Sequence, residues 1–189
     1  MKKLVFCLSL IVLTSCHTAS YINDIDSTPY GLDYKQGKWL LNDITSPKDI
    51  KEKLTQIAYK GFYDKLGNNL KKAKDIKNLS LPFVPIKPNT LILKQIKEST
   101  KFDYLINIES KSSKSDFGGL KIGQTYSEKK NIAQTILVVY DLNTSEIIYY
   151  RKVSGQVKIN ESDKEDFAFV TSTDKIMITC LKKIMKKIK

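Results

Sequence analysis

The chain has 189 residues, 32 Lys and Arg against 20 Asp and Glu, a formal charge of +12 and 41% hydrophobic residues. That length supports one well-buried core and one domain. Three cysteines and a single histidine remove most nucleophilic triads, all-His/Cys metal sites and any multi-disulfide scaffold.

The amino terminus carries the most specific signal. Met1-Lys2-Lys3 is positive, and Leu4 to Leu13 is apolar except for Ser9. That run reads as a secretory h-region, too short for a spanning helix of about 20 residues. It ends in Leu13-Thr14-Ser15-Cys16, with Leu three residues before Cys and small residues between. This resembles the bacterial lipoprotein signal. The resemblance implies cleavage between Ser15 and Cys16, a diacylglyceryl group on the Cys16 sulfur, and acylation of the new amino group, as with palmitate. One acyl chain holds only marginally, so two or three are needed for a durable membrane anchor. Ordinary signal-peptide cleavage nearby is the alternative, although no small-x-small site closely follows the h-region. With residues 1–15 removed and Cys16 acylated, Cys180 has no partner within the chain. His17 reads as a tether residue. The residue after Cys16 is not Asp, which the lipoprotein resemblance connects with the outer membrane, the periplasmic side being the expected one.

From His17 to about Gln36 the sequence is polar, with scattered Tyr and a Ser27-Thr28-Pro29 step, and shows no period. Residues 16–36 are therefore expected to be a flexible tether, holding a domain of residues 37–189 about 25 Å from the bilayer if the tether is coil. Gly37 to Leu41 predicts a first strand. Ser46-Pro47 predicts the start of a helix, with Ser46 as N-cap and Ile50, Leu54, Ile57, Ala58, Gly61 and Phe62 on one face, ending near Leu66-Gly67. Leu79 to Val84 reads as a second strand, pushed to an edge by Pro82, Pro85 and Pro88. A short helix follows from Asn89 or Thr90.

Phe102, Tyr104, Ile106 and Ile108 share one face of the next strand. Ile132 to Leu142, apolar on both sides, belongs in the sheet centre. After the Asn143-Thr144-Ser145 turn, Ile147, Tyr149, Val153, Val157 and Ile159 alternate down a returning strand, with Arg151 the one charge on that face. A last helix, capped at Thr173-Asp174, sets Met177, Cys180, Leu181, Ile184, Met185 and Ile188 three and four apart. The fold class expected is α/β, as an α+β two-layer sandwich. It has a mixed sheet of about five strands, a long hairpin, and two or three helices including the C-terminal amphipathic one.

The phrases Phe102-Asp103-Tyr104-Leu105-Ile106 and Val139-Tyr140-Asp141-Leu142-Asn143-Thr144-Ser145-Glu146-Ile147-Ile148-Tyr149, in this element order, resemble the α/β domain of the curli-secretion lipoproteins (CsgG-like) and the amino-terminal domain of the TolB periplasmic protein. Ser145 stands where those families usually have Gly. The resemblance covers about residues 38–189 and implies a role in envelope assembly without catalysis. The curli pore family inserts long alternating hairpins into the outer membrane. Here the corresponding stretch, Lys111 to Asn131, is polar and glycine-rich, so no pore is predicted. It reads as a surface loop in which Phe117, Leu120 and Ile122 form a possible partner patch or fold back on the sheet.

Other candidates are weaker. Asp103, Glu109, Asp141 and Glu146 fall at strand ends, where a glycosidase-like carboxylate pair sometimes forms, although Asp141 also suits a turn and Glu146 a solvated position. Glu161, Asp163, Glu165 and Asp166 cluster oxygen ligands without the glycine and Glu spacing of a calcium loop, and read first as a solvated loop. No catalytic residue, cofactor site or metal site is assigned. The lysines at the end of the last helix, Lys182, Lys183, Lys186, Lys187 and Lys189, read first as its polar face and second as a patch for anionic head groups. Function is expected to be a membrane-anchored, non-catalytic binding or assembly component of the cell envelope. Its partner is another envelope protein, with no nucleic acid. The alternatives are a carboxylate-dependent hydrolase of envelope polysaccharide and a carrier of an apolar ligand.

Overall fold

Six strands and three helices form the described part of the chain: β1 (Ser20–Asn23), β2 (Trp39–Leu41), α1 (Lys48–Leu66), β3 (Leu70–Lys72), α2 (Thr90–Thr100), β4 (Tyr104–Lys121), β5 (Gln124–Asp141), β6 (Glu146–Ile159) and α3 (Thr173–Met185). The structure, a computed structural model, describes residues 19–34, 36–77, 79, 81–121, 124–159 and 171–188. The signal segment, Cys16, His17, Ile122 and the Glu161 to Asp166 cluster lie outside them. The sheet runs β1-β6-β5-β4-β2-β3, with β2 parallel to β3 and β4 and the other pairs antiparallel. The expected α+β sandwich on a mixed sheet is what forms, with six strands.

Two apolar layers explain why β4 and β5 are hydrophobic on both faces. Tyr104, Ile106 and Ile108 of β4 and Leu137 and Val139 of β5 join α1 and α3 in one cluster. Leu105, Ile136, Val138 and Tyr140 join Leu93 and Ile96 of α2 in the other. Each fully buried Leu, Ile or Phe contributes about 1.5–3 kcal/mol. Trp39 and Tyr104, on parallel neighbours, stack with ring centroids 4.3 Å apart. A buried polar tie joins sheet to helix: Ser110 and Thr135, paired in register, share a hydroxyl hydrogen bond of 2.8 Å, and Thr135 donates to the Met177 carbonyl at 3.2 Å.

Several expectations need correction. Ser46 makes no cap; α1 begins at Lys48, after Pro47, whose extended backbone opens it without a side-chain bond. The edge strand is Leu70–Lys72, with only one buried residue to announce it. Among the described residues of Leu79 to Val84 no strand forms. The proline-rich segment instead lies across the second face, where the Val84 carbonyl accepts from Asn107 Nδ2 (2.9 Å) and the Ile86 carbonyl from the Tyr140 hydroxyl (2.8 Å). Phe102 packs on that same face, opposite Tyr104, because β4 starts only at Tyr104. A bulge at Val139/Tyr140 pairs Tyr149 with Val139 and Ile147 with Tyr140, so Ile148 packs against the core and Ile147 is exposed. The last helix is capped by Ser172, which accepts from the Lys175 amide, one residue before the expected cap.

The stretch Lys111 to Asn131 is not a loop. β4 and β5 continue as one ladder to Lys121↔Gln124, and β6 accompanies them to Lys129↔Ile159. The section from Lys111 to Lys121 spans about 35 Å at ~3.4 Å per residue. Ladder hydrogen bonds need no apolar side chains, so the polar composition hid the strands. In that ladder Phe117 pairs with Glu128 and Leu120 with Thr125.

The segment expected to be a tether is largely folded onto the domain. β1 pairs with β6 from Ser20↔Gln156 to Asn23↔Val153. Leu32 is buried and Tyr34 packs against the core. The Thr28 amide bonds the Tyr150 carbonyl at 2.7 Å, and the Thr28 hydroxyl accepts from the Tyr150 amide at 2.8 Å. Buried Arg151, expected only as an odd charge on an apolar face, donates to the Thr28 carbonyl at 2.7 Å and to the Tyr149 hydroxyl at 2.9 Å. Polar Ser, Thr and Asp residues here serve as hydrogen-bond partners for an edge, a use that leaves no periodic trace.

Candidate functional site

Three of the four strand-end carboxylates, Asp103, Asp141 and Glu109, are engaged by donors within the fold. Asp103 accepts from Lys97 Nζ at 2.7 Å and from the Lys38 amide at 2.9 Å. The Lys97 bond first, and the Lys38 amide next, hold its carboxyl below the usual range. Asp141 accepts from the Asn143 amide at 2.8 Å and closes the turn into β6. Glu109 pairs with Lys111 at 2.8 Å. It stands five positions along β4 from Tyr104, about 17 Å away at ~3.4 Å per residue. Glu146 pairs with Asp141 in register at the end of the hairpin. A glycosidase acid needs a raised pKa, whereas Asp103 is pushed the other way. Cys180 is buried on the apolar face of α3, and burial raises its thiol to about 12, so it stays protonated and unreactive.

A concavity among the described residues lies elsewhere, between β1, α1 and α3. It is an open groove of about 460 Å³, walled by Ala19 and Tyr21 from the N-terminal strand region and Ile178 from α3, and rimmed by Lys53, Lys175 and Lys182. Lys175, Ile178 and Lys182, three and four apart, present one stripe of α3. Lys183 Nζ lies 4.9 Å from the centroid of the Tyr21 ring, a cation–π contact that adds a fourth ammonium beside the groove.

Two glycines let these elements come together. A Cβ at Gly155 would stand 2.4 Å from Ile176 Cγ2 and 2.7 Å from the Tyr21 ring, and one at Gly61 would stand 2.4 Å from the Met185 methyl. Gly155 is the residue that Tyr21 faces in register. The sequence pointed to Lys182 and Lys183 but missed Lys53 and Lys175. The spacing of seven from Lys175 to Lys182 was visible, whereas the approach of α1 to α3 is a tertiary fact. None of the four strand-end carboxylates lines this groove. What it offers is ammonium groups beside a half-buried tyrosine, suited to anions.

No family model and no curated protein matches the chain. Solved structures do. The PelC dodecamer from Paraburkholderia phytofirmans is 7% identical over 90% of this chain and 97% of that one, with a TM-score of 0.45. A neuraminyllactose-binding hemagglutinin homolog from Helicobacter pylori is 12% identical over 85% and 89%, with a TM-score of 0.43. Lipoprotein GNA1162 from Neisseria meningitidis is 8% identical over 68% and 88%, with a TM-score of 0.32. At these values the likeness assigns no role to any residue of this chain.

Proposed function

We propose that the protein is a lipid-anchored component of the bacterial cell envelope that acts by binding, with Cys16 as its anchor. The observation that carries the non-catalytic half is the use made of the candidate catalytic groups. Asp103 and Asp141 bind backbone amides, Glu109 binds a neighbouring lysine, and Cys180 is buried and protonated. The anchoring half rests on Leu13-Thr14-Ser15-Cys16 behind an apolar run. Among the described residues, no helix is long and apolar enough to cross a membrane.

Ile22, Ile25 and Tyr30, each an exposed apolar side chain of the N-terminal segment, are the surface we assign to contact with another envelope protein. The residue after Cys16 is in keeping with the outer membrane, and the periplasmic side is the face we assign. Extraction of the native protein in mild detergent, followed by sizing and mass spectrometry of what accompanies it, tests the binding role. A defined complex containing one recurrent envelope protein is expected. A lone monomer, together with hydrolysis of an envelope glycan that one carboxylate substitution abolishes without lowering Tm, would overturn it.

A further inference from the structure

The position of Ala19 has a consequence for how the domain meets the bilayer. Ala19 walls the basic groove and is three residues from Cys16. An extended chain covers at most ~3.6 Å per residue, so the Cys16 Cα stands within about 11 Å of Ala19 whatever path residues 17 and 18 take. The headgroup layer on each side of the hydrocarbon core is itself roughly 5–7 Å thick. An acyl group rooted at Cys16 therefore leaves no room for a long stand-off on this side of the domain. The surface brought down carries exposed Lys53, Lys175 and Lys182, with Lys183 over the Tyr21 ring. None of the ion pairs among described residues uses these four lysines. Tyrosine is itself favoured at the headgroup level, where its ring is half sheltered and its hydroxyl wet.

We propose that the groove between β1, α1 and α3 is a docking face for anionic phospholipid, on which Lys53, Lys175 and Lys182 seat the domain flat against the membrane that holds its anchor. This rests on the reading of Cys16 as the lipidated residue. Lysine suits the task, since a point charge on a flexible stem engages a fluid array of phosphodiesters without a fixed fork geometry. Such charges add attraction of about fivefold in affinity per lysine at an anionic surface. The anchor then acts with the groove: one holds the protein on the bilayer, the other sets which way the hairpin of β4 and β5 points.

The full chain, purified from membranes and reconstituted into vesicles of phosphatidylcholine alone or with about one quarter phosphatidylglycerol, is labelled with an amine-acetylating reagent and read by mass spectrometry. Acetylation of Lys53, Lys175 and Lys182 is expected to slow at least fivefold in the anionic vesicles and to recover when salt is raised. Lys94 and Lys101, on the α2 side of the sheet, should not change. In a K53Q/K175Q/K182Q variant, protection of Lys183 should disappear while the protein stays membrane-bound. Equal labelling in both vesicle types overturns the seating, as does slow labelling in both, which would mean the protein's own chain covers the groove. Absence of an acyl mass on the Cys16 peptide, or release from phosphatidylcholine vesicles, overturns the anchor reading and this inference together. Retention with even labelling overturns the seating alone.

Discussion

Ser145 holds φ +60°, the left-handed region that L residues enter at a cost of about 1–2 kcal/mol. Replacing it by Gly removes that strain but adds about 0.5–1 kcal/mol of unfolded-chain freedom. A net gain of about 0.5 kcal/mol is expected for Ser145→Gly, read as a rise of about 2 °C in Tm; Ser145→Val should lower Tm. The turn Asn143-Thr144-Ser145 was legible in the sequence, whereas the left-handed backbone at Ser145 emerges only from the structure. Asp103 makes a second prediction. Its folded pKa lies below the ordinary 3.8, chiefly through Lys97, so the stability it adds is complete above the unfolded pKa and fades as pH falls through the folded one. Urea midpoints followed from pH 6 down to about pH 2 should drop less steeply for Asp103→Asn than for the wild type, with the variant weaker near neutrality by about 1–2 kcal/mol. Parallel curves offset by a constant would contradict the assignment. The strand ending was legible at Asp103, but its partner was not, since Lys97 and the Lys38 amide reach it through the packing of α2 and β2.

At the scale of elements, strands and helices with one buried face were legible and those without were not. α1 shows its stripe in Ile50, Leu54, Ala58 and Phe62, all buried, and α2 shows its Asn89 cap. β1 and β3 bury little, and the outer halves of β4 and β5 owe their order to a backbone ladder, so no hydrophobic period marked them. The bulge in β6 escaped because alternation assumes an unbroken register. The meeting of β1, β6 and α3 hinges on Gly155, where a methyl group would collide with both Ile176 and the Tyr21 ring. Gly155→Ala is expected to cost about 1–3 kcal/mol. It should also speed hydrogen exchange along β1, where the amides pair with β6, more than along α2. Uniform acceleration in every element, or no loss of stability, would show that β1 and α3 are not held together there.

For the whole molecule, the central claim is that the chain is fastened at Cys16 and begins its fold almost at once, with β1 opening at Ser20. A long coil between anchor and domain would let the fold tumble freely; a short one ties its orientation to the bilayer. The proposal of an anchor rests on the apolar run and Leu13-Thr14-Ser15-Cys16 alone, since signal recognition depends on local chemistry. The folding of Ser20–Asn23 onto β6 was not legible, since polar side chains that bond an edge strand read like those of a coil. The most direct measurement is the intact mass and N-terminal peptide of the mature protein taken from membranes. The account predicts a chain that starts at Cys16 and carries the mass of a diacylglyceryl group, with a further acyl group on its amine. A chain that starts elsewhere, or a Cys16 of unmodified mass in a protein still bound to the membrane, would contradict it.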